Sequence, residues 1–264
     1  MVRSVLFDVP KGGNSEAEWE DGAGCDDAGP APRYIVVDGA AEAYDSLRWV
    51  EQLVTSFLDR GSSHAAPEAP AFEPAAMRHW FELMQRRWVD QVPVFADVIE
   101  ERRFTHDGSF ATLLGCELTG LEGPTPRWSA VALGDTVLFH IRDGRLIQHF
   151  PALHVQDFGT TPEGVRTLPS ALDRMVQRLT FGGGELRAGD LLFLATDALA
   201  HWMLLRDQRE PQLLWTALRL LDHDQVFTQM ISQARTSKEM KNDDVTLLRV
   251  QVVATPTEHV VVCL

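Results

Sequence analysis

Helix-patterned and strand-patterned segments do not alternate along this chain, and that order limits the folds open to it. A short strand is expected at Ser4–Val9 and a buried strand at Tyr34–Val37, inside "YIVVDGAAEAYDSLRW". Ala41–Arg60 follows with Leu47, Val50, Leu53, Val54, Phe57 and Leu58 at helical spacing. After a linker rich in Ala and Pro, "GSSHAAPEAPAFEP", helices are expected at Ala75–Val89 and Phe95–Arg103. The period then changes. "FATLLGCELTG" and "RWSAVALGDTVLFHIRDGRLIQHFP" read as strands, with Asp143-Gly144 as a hairpin signal. Residues 151–180 are irregular apart from a helix near Ser170–Leu179. "DLLFLATDALAHWMLL" is a buried strand passing into a helix, Pro211–Arg235 is helical, and "DDVTLLRVQVV" is a last strand. Strict βαβ alternation is missing, so a doubly wound parallel sheet is disfavoured. Mostly antiparallel strands covered by helices, an α+β fold, fit better.

The 264 residues are 45% hydrophobic, with seven Trp and thirteen Phe, enough for one large core in a single domain spanning 1–264. Trp80, Trp88, Trp202 and Trp215 sit at helical positions and read as core. A net charge of −14 argues against binding to nucleic acid or an anionic membrane, which are gripped through Lys and Arg. No run approaches the roughly 20 apolar residues that span a bilayer, and "MVRSVLFDVP" is too short in its apolar stretch for a signal peptide. Cys25, Cys116 and Cys263 lack zinc or redox spacing and read as reduced thiols, which points to the cytoplasm.

Several carboxylates share one local design. Glu20 and Asp21 precede a Gly-Ala turn, Asp38 and Asp197 end apolar strands, and Asp243-Asp244 precede one. Each has an ordinary reading. Asp38 and Asp197 suit helix N-caps, Asp243-Asp244 suit a turn, and Glu20-Asp21 suit a charged surface. Strand-end carboxylates can also converge on one edge of a sheet pair. Brought together they repel, and a hard divalent cation relieves that repulsion. Oxygen donors without a His or Cys partner suit Mg²⁺ or Mn²⁺ rather than zinc. Gly39, lacking a Cβ, lets its carbonyl approach a metal closely.

In this order the segments resemble the metal-dependent type 2C serine/threonine protein phosphatases, from Lys11 to about Val250. The matching pieces are the "ED" pair, "VVDG", "LGD" with "LFHIRDGRL", "GDLLFLATDAL" and "DDVTLL". The bacterial branch, with DGA in the second motif, is the nearest. The resemblance implies a four-layer αββα sandwich, two antiparallel sheets flanked by helices, and a site for two Mn²⁺ or Mg²⁺ ions. In it, Asp38 bridges both ions and Gly39 lends its carbonyl. Asp197 and Asp243 bind one ion, while Glu20 and Asp21 hold the other directly or through water. Asp244 stands where an Asn is frequent and is a weaker ligand. It also implies hydrolysis of phosphoserine or phosphothreonine on proteins by a hydroxide held between two cations about 4 Å apart. A phosphoprotein substrate, in opposition to a serine/threonine kinase, follows from the same resemblance.

The chain departs from that pattern in three places. Glu16 occupies the position of a phosphate-gripping arginine, leaving Lys11 and Arg48 as weak substitutes; Ala40 replaces a histidine suited to protonate the leaving group; and Ala198 replaces a glycine. Glu16 and Ala40 motivate an alternative, a pseudophosphatase that binds phosphoproteins or regulates without turnover. His140, His149 and His154 read as structural or solvated. The stretch Phe150–Leu168 is the expected specificity segment.

Overall fold

The computed structural model describes residues 1–13, 19–61, 69–159 and 162–253. Glu16, Cys263 and half of the Ala/Pro-rich linker lie outside them. Twelve strands and seven α-helices follow one another in the described chain. The first sheet contains β1 (Val2–Val9), β12 (Val245–Val252), β11 (Leu191–Ala195), β7 (Val137–Arg142) and β8 (Arg145–Phe150), in that spatial order. The second contains β10 (Thr180–Glu185), β6 (Arg127–Leu133), β5 (Leu113–Thr119), β3 (Arg33–Asp38) and β2 (Asp21–Asp26). Every pairing is antiparallel. A two-stranded ribbon joins β4 (Phe110–Ala111) to β9 (Val165–Arg166).

The apolar strands are continuous because both of their faces are buried. In β3, Tyr34 and Val36 face the other sheet while Ile35 and Val37 face helices α1 (Ser46–Leu58) and α2 (Pro74–Asp90). In β11, Leu192 and Leu194 face inward, and Leu191, Phe193 and Ala195 pack under α5 (Asp197–Arg209), α6 (Pro211–Leu220) and α7 (Asp224–Thr236). Three apolar layers result, one between the sheets and one under each helical cover, which makes the expected αββα sandwich. Trp80, Trp88, Trp202 and Trp215 are core, as their spacing implies. The Asp143-Gly144 hairpin turns with positive φ at both residues, 52° and 71°.

Four local expectations change. Strand β2, "DGAGCD", and strand β10, "TFGGGE", form where the sequence reading places no strand, and they are the two edges of the second sheet. Their glycines explain why they were hidden and why they are needed: a Cβ on Gly22 would lie 2.2 Å from Val50, and one on Gly24 2.6 Å from Leu58. Packing of α1 overrides the low strand propensity of glycine there. The helix expected from Ala41 starts only at Ser46, after Asp45, so Asp38 caps nothing. The helix expected at Phe95–Arg103 is a short α3, Val98–Arg102, capped by Asp97 and followed by a π-helical turn at Arg103–Asp107. Pro211–Arg235 divides between Leu220 and Asp224, where Leu221 turns extended and inserts into the core.

Candidate active site

At one end of the sandwich the strand termini open into a cavity of about 580 Å³. Strands β2 and β3 bring Asp21 directly opposite Asp38 in register, a pairing of like charges that costs stability unless a cation answers it. From the other sheet, β11 ends at Ala195 and delivers Asp197 at the first turn of α5, while Asp243 and Asp244 precede β12. The turn between β6 and β7 adds Asp135. Glu20, Asp21, Asp38, Gly39, Asp197, Asp243 and Asp244 all line this cavity, as does Asp135. The cations on its walls are Lys11, Arg166 and Lys241.

Neighbouring hydroxyls and amides hold the carboxylates in place. Thr246 Oγ1 donates to Asp21 Oδ2 at 2.8 Å, linking β12 of one sheet to β2 of the other. Ser46 Oγ donates to Glu20 Oε1 at 2.5 Å. Asp197 accepts the Ala198 N–H at 2.5 Å and so also serves its helix start. Asp244 accepts the N–H groups of Lys11, at 2.7 Å, and Glu20, at 3.1 Å. It thereby pins the segment bearing Glu20 and Asp21 to the start of β12. The missing Cβ of Gly39 has a packing reason: that atom would lie 2.4 Å from the Glu20 carbonyl oxygen.

The electrostatics of the cluster are unbalanced. Burial, reinforced by the charges of Asp244 and Asp197, lifts Asp21 to about 8 against the opposing hydrogen bonds of Thr246 and Thr196. Burial also pushes Asp38 well above the carboxylate range, helped by Asp21, Asp197, Asp135 and Asp243. Asp135 rises to about 7, again chiefly through burial and then Asp197, and its buried Oδ1 has no hydrogen-bond partner. Asp197 and Glu20 are raised too, with burial the largest cause in each. Lys241 Nζ lies 2.5 Å from Asp243 Oδ2 and 3.6 Å from Asp197 Oδ2. Among the described residues, no three His, Cys, Asp or Glu side chains already stand in a ligating arrangement. The donor set nonetheless fits a hard divalent cation. It is all oxygen, it holds an unpartnered buried carboxylate oxygen, and its repulsion is what such a cation relieves.

No protein-family model and no curated protein sequence matches the chain. Solved structures do. A mutant form of a bacterial serine phosphatase superposes with a TM-score of 0.63 at 13% identity, over 97% of this chain and 100% of that one. The photosystem II phosphatase PBCP gives 0.61 at 12%, over 97% and 100%. The serine/threonine phosphatase PstP of Mycobacterium tuberculosis gives 0.60 at 16%, over 96% and 99%. The catalytic domain of PstP has been solved in complex with two manganese ions. The chain has the fold of the type 2C protein phosphatases.

Within that type 2C fold, every carboxylate singled out in the sequence as a ligand candidate comes to one cavity. Asp135 is a further cavity residue, and "LGD" carries the same signal as the others, a carboxylate just past an apolar strand. Lys11 lines the cavity, whereas Arg48 does not. Arg48 lies 4.5 Å over the Trp88 ring and donates to the Gln91 carbonyl at 2.6 Å. Ala40 is on the wall, and no histidine is among the described lining residues. His140 instead bonds Asp190 at 2.8 Å, and His149 bonds the Leu153 carbonyl at 2.9 Å. Among the described residues, no helix is long and apolar enough to cross a membrane.

Proposed function

We propose that this chain is a metal-dependent phosphatase that hydrolyses phosphoserine or phosphothreonine on proteins. The observation that carries the reading is the convergence of Glu20, Asp21, Asp38, Asp135, Asp197 and Asp243 in one cavity, without enough cations of the chain's own to balance them. Asp38 and Gly39, Asp197 and Asp243, and Glu20 with Asp21 would hold two Mn²⁺ or Mg²⁺ ions. Bound there, a divalent cation supplies Lewis acidity, lowering the pKa of a water molecule and offsetting the charge of a phosphoryl group. The chain's own residues contribute position. Thr246 and Ser46 orient Asp21 and Glu20, and Asp244 holds their segment against β12. A phosphoprotein substrate, opposition to a serine/threonine kinase, a cytoplasmic location and a single catalytic domain over 1–264 belong to the same proposal.

A second reading is favoured by one specific feature. No histidine lines the described cavity where the resemblance implies a proton donor, and Ala40 stands there instead. On this reading the chain is a pseudophosphatase that binds phosphoproteins without turnover. Hydrolysis of p-nitrophenyl phosphate with EDTA, Mg²⁺ or Mn²⁺, in wild type and Asp38→Asn, separates the two. Metal-dependent turnover that the variant loses supports the phosphatase. Phosphopeptide binding without turnover supports the pseudophosphatase.

A further inference from the structure

Of the three cations on the cavity wall, Lys241 is engaged by Asp243 and Asp197. Arg166 is different. Its guanidinium makes no ion pair and donates no hydrogen bond among the described residues, though its charge adds to those of Arg174 and Arg178 in lowering Glu163, and it lines the same acidic cavity. It lies 4.5 Å over the ring of Phe110, which is also on the wall. Most other partly buried arginines of this fold are engaged: Arg142 by Asp190, Arg33 by Glu117, Arg249 by the carbonyls of Leu218 and Leu221.

The backbone of Arg166 is held from three sides. It pairs with Phe110 in the β4–β9 ribbon. That ribbon is itself fastened to the loop after β3: Ala111 bridges Gly39, the Ala40 N–H donates to the Phe110 carbonyl at 3.1 Å, and the Thr112 N–H donates to the Asp38 carbonyl at 2.8 Å. Gln85, buried in α2, donates from Nε2 to the Arg166 carbonyl at 3.0 Å. The buried indole of Trp49 does the same for the Val165 carbonyl at 3.0 Å. Buried polar groups directed at a two-residue strand give its side chain a defined origin a short hydrogen-bonded path from Asp38.

We propose that Arg166 grips the phosphoryl group of the substrate, an assignment that rests on the phosphatase reading above. An arginine fork matches phosphoryl oxygens two at a time. An unpaired one, stacked on an aromatic ring beside repelling carboxylates, is a binding group awaiting an anion. The assignment supplies the anion contact that Glu16 cannot make and that Arg48, turned onto Trp88, does not offer.

The test uses the full chain with Mn²⁺, as wild type, Arg166→Ala and Arg166→Lys, with matching thermal melts as the folding control. Binding of inorganic phosphate is read by calorimetry, and kcat and KM are read with p-nitrophenyl phosphate and a phosphopeptide. Arg166→Ala is expected to weaken phosphate binding and raise KM for both substrates together, by about ten- to a hundredfold, with partial recovery in Arg166→Lys. Phosphate affinity within twofold of wild type overturns the assignment. So does a KM rise confined to the phosphopeptide, which would put Arg166 against residues flanking the phosphate. No phosphate binding by the wild type also overturns it. Phosphate binding lost in Arg166→Ala, in a wild type that shows no turnover, upholds Arg166 and sinks the phosphatase reading alone.

Discussion

Strand β11 carries an aspartate at each end, and the two have opposite environments. Asp190, just before Leu191, is fully enclosed and fully answered. Arg142 donates to it at 2.8 Å and 2.6 Å, His140 Nε2 bonds it at 2.8 Å, and the Arg187 N–H donates at 2.9 Å. Burial alone would raise its pKa, but these partners outweigh that and hold it below the usual carboxylate range. The Trp128 indole donates to His140 Nδ1, which leaves Nε2 to carry the proton toward Asp190, and burial lowers the His140 pKa. Roughly 20 Å away along the strand, Asp197 joins Asp21, Asp38 and Asp135, which burial and mutual repulsion push upward. The first site is closed by the protein's own groups. The second is open to a cation from outside. The balance of partners, rather than burial, distinguishes a carboxylate closed by the protein from one left open to a cation.

The largest expected effect tests the open end. Asp38→Asn should retain the fold and lose at least about 100-fold in metal-dependent hydrolysis, since even changes behind a metal ligand cost 10- to 100-fold. Circular dichroism and p-nitrophenyl phosphate kinetics report the two halves of that statement. The closed end should respond the opposite way. Asp190→Asn leaves the partly buried Arg142 guanidinium without its carboxylate and is expected to cost about 1–3 kcal/mol in denaturant unfolding, with kcat per folded molecule unchanged. If the two substitutions exchanged their effects, the contrast between the ends of β11 would collapse.

Proton linkage sharpens the comparison. A carboxylate raised in the folded state stabilises below its unfolded pKa and loses that contribution as pH climbs through the folded value. For Asp21 the window runs from 3.8 to about 8, and for Asp135 from 3.8 to about 7. The Tm of the metal-free protein should therefore fall between pH 5 and pH 8, and Mn²⁺ should restore more at pH 8 than at pH 5. In EDTA at pH 8, Asp135→Asn should raise Tm by about 2–4 °C by removing one repelling charge. A flat metal-free profile would mean the cluster is not strained. The smallest effect concerns Lys241, whose side chain is 64% exposed while it pairs with Asp243 and Asp197. Lys241→Met should tighten Mn²⁺ binding by only about two- to fivefold in calorimetry, the size of an exposed ion pair.

How much of this was legible beforehand differs between the two sheets. The first sheet announces itself, because "LLFLA" and "VTLLRVQV" are β-branched and leucine runs bounded by polar residues. The edges of the second do not. Strands β2 and β10 are glycine-rich because helix α1 and the Phe150 and Trp128 side chains leave no room for a Cβ. Among site residues, Asp38, Asp197 and Asp243 are legible as carboxylates at strand ends, and Glu20 and Asp21 as an acidic pair before a Gly-Ala turn. Asp135 carries the same mark just past β6, whereas Arg166 sits on a two-residue strand that no periodicity can reveal.

The sequence by itself determined which segments are apolar enough to be buried on both faces, and that acidic residues stand at their ends. Those are local properties of spacing and residue type. Only the tertiary structure decided which carboxylates face one another, which cations answer them and which are left unanswered. Asp190 and Asp197 look alike in the sequence, each a short step from "LLFLA". Arg142 closes one and nothing comparable closes the other, because strand pairing brings Arg142 alongside Asp190 while the Asp21–Asp38 register gathers like charges at the opposite end.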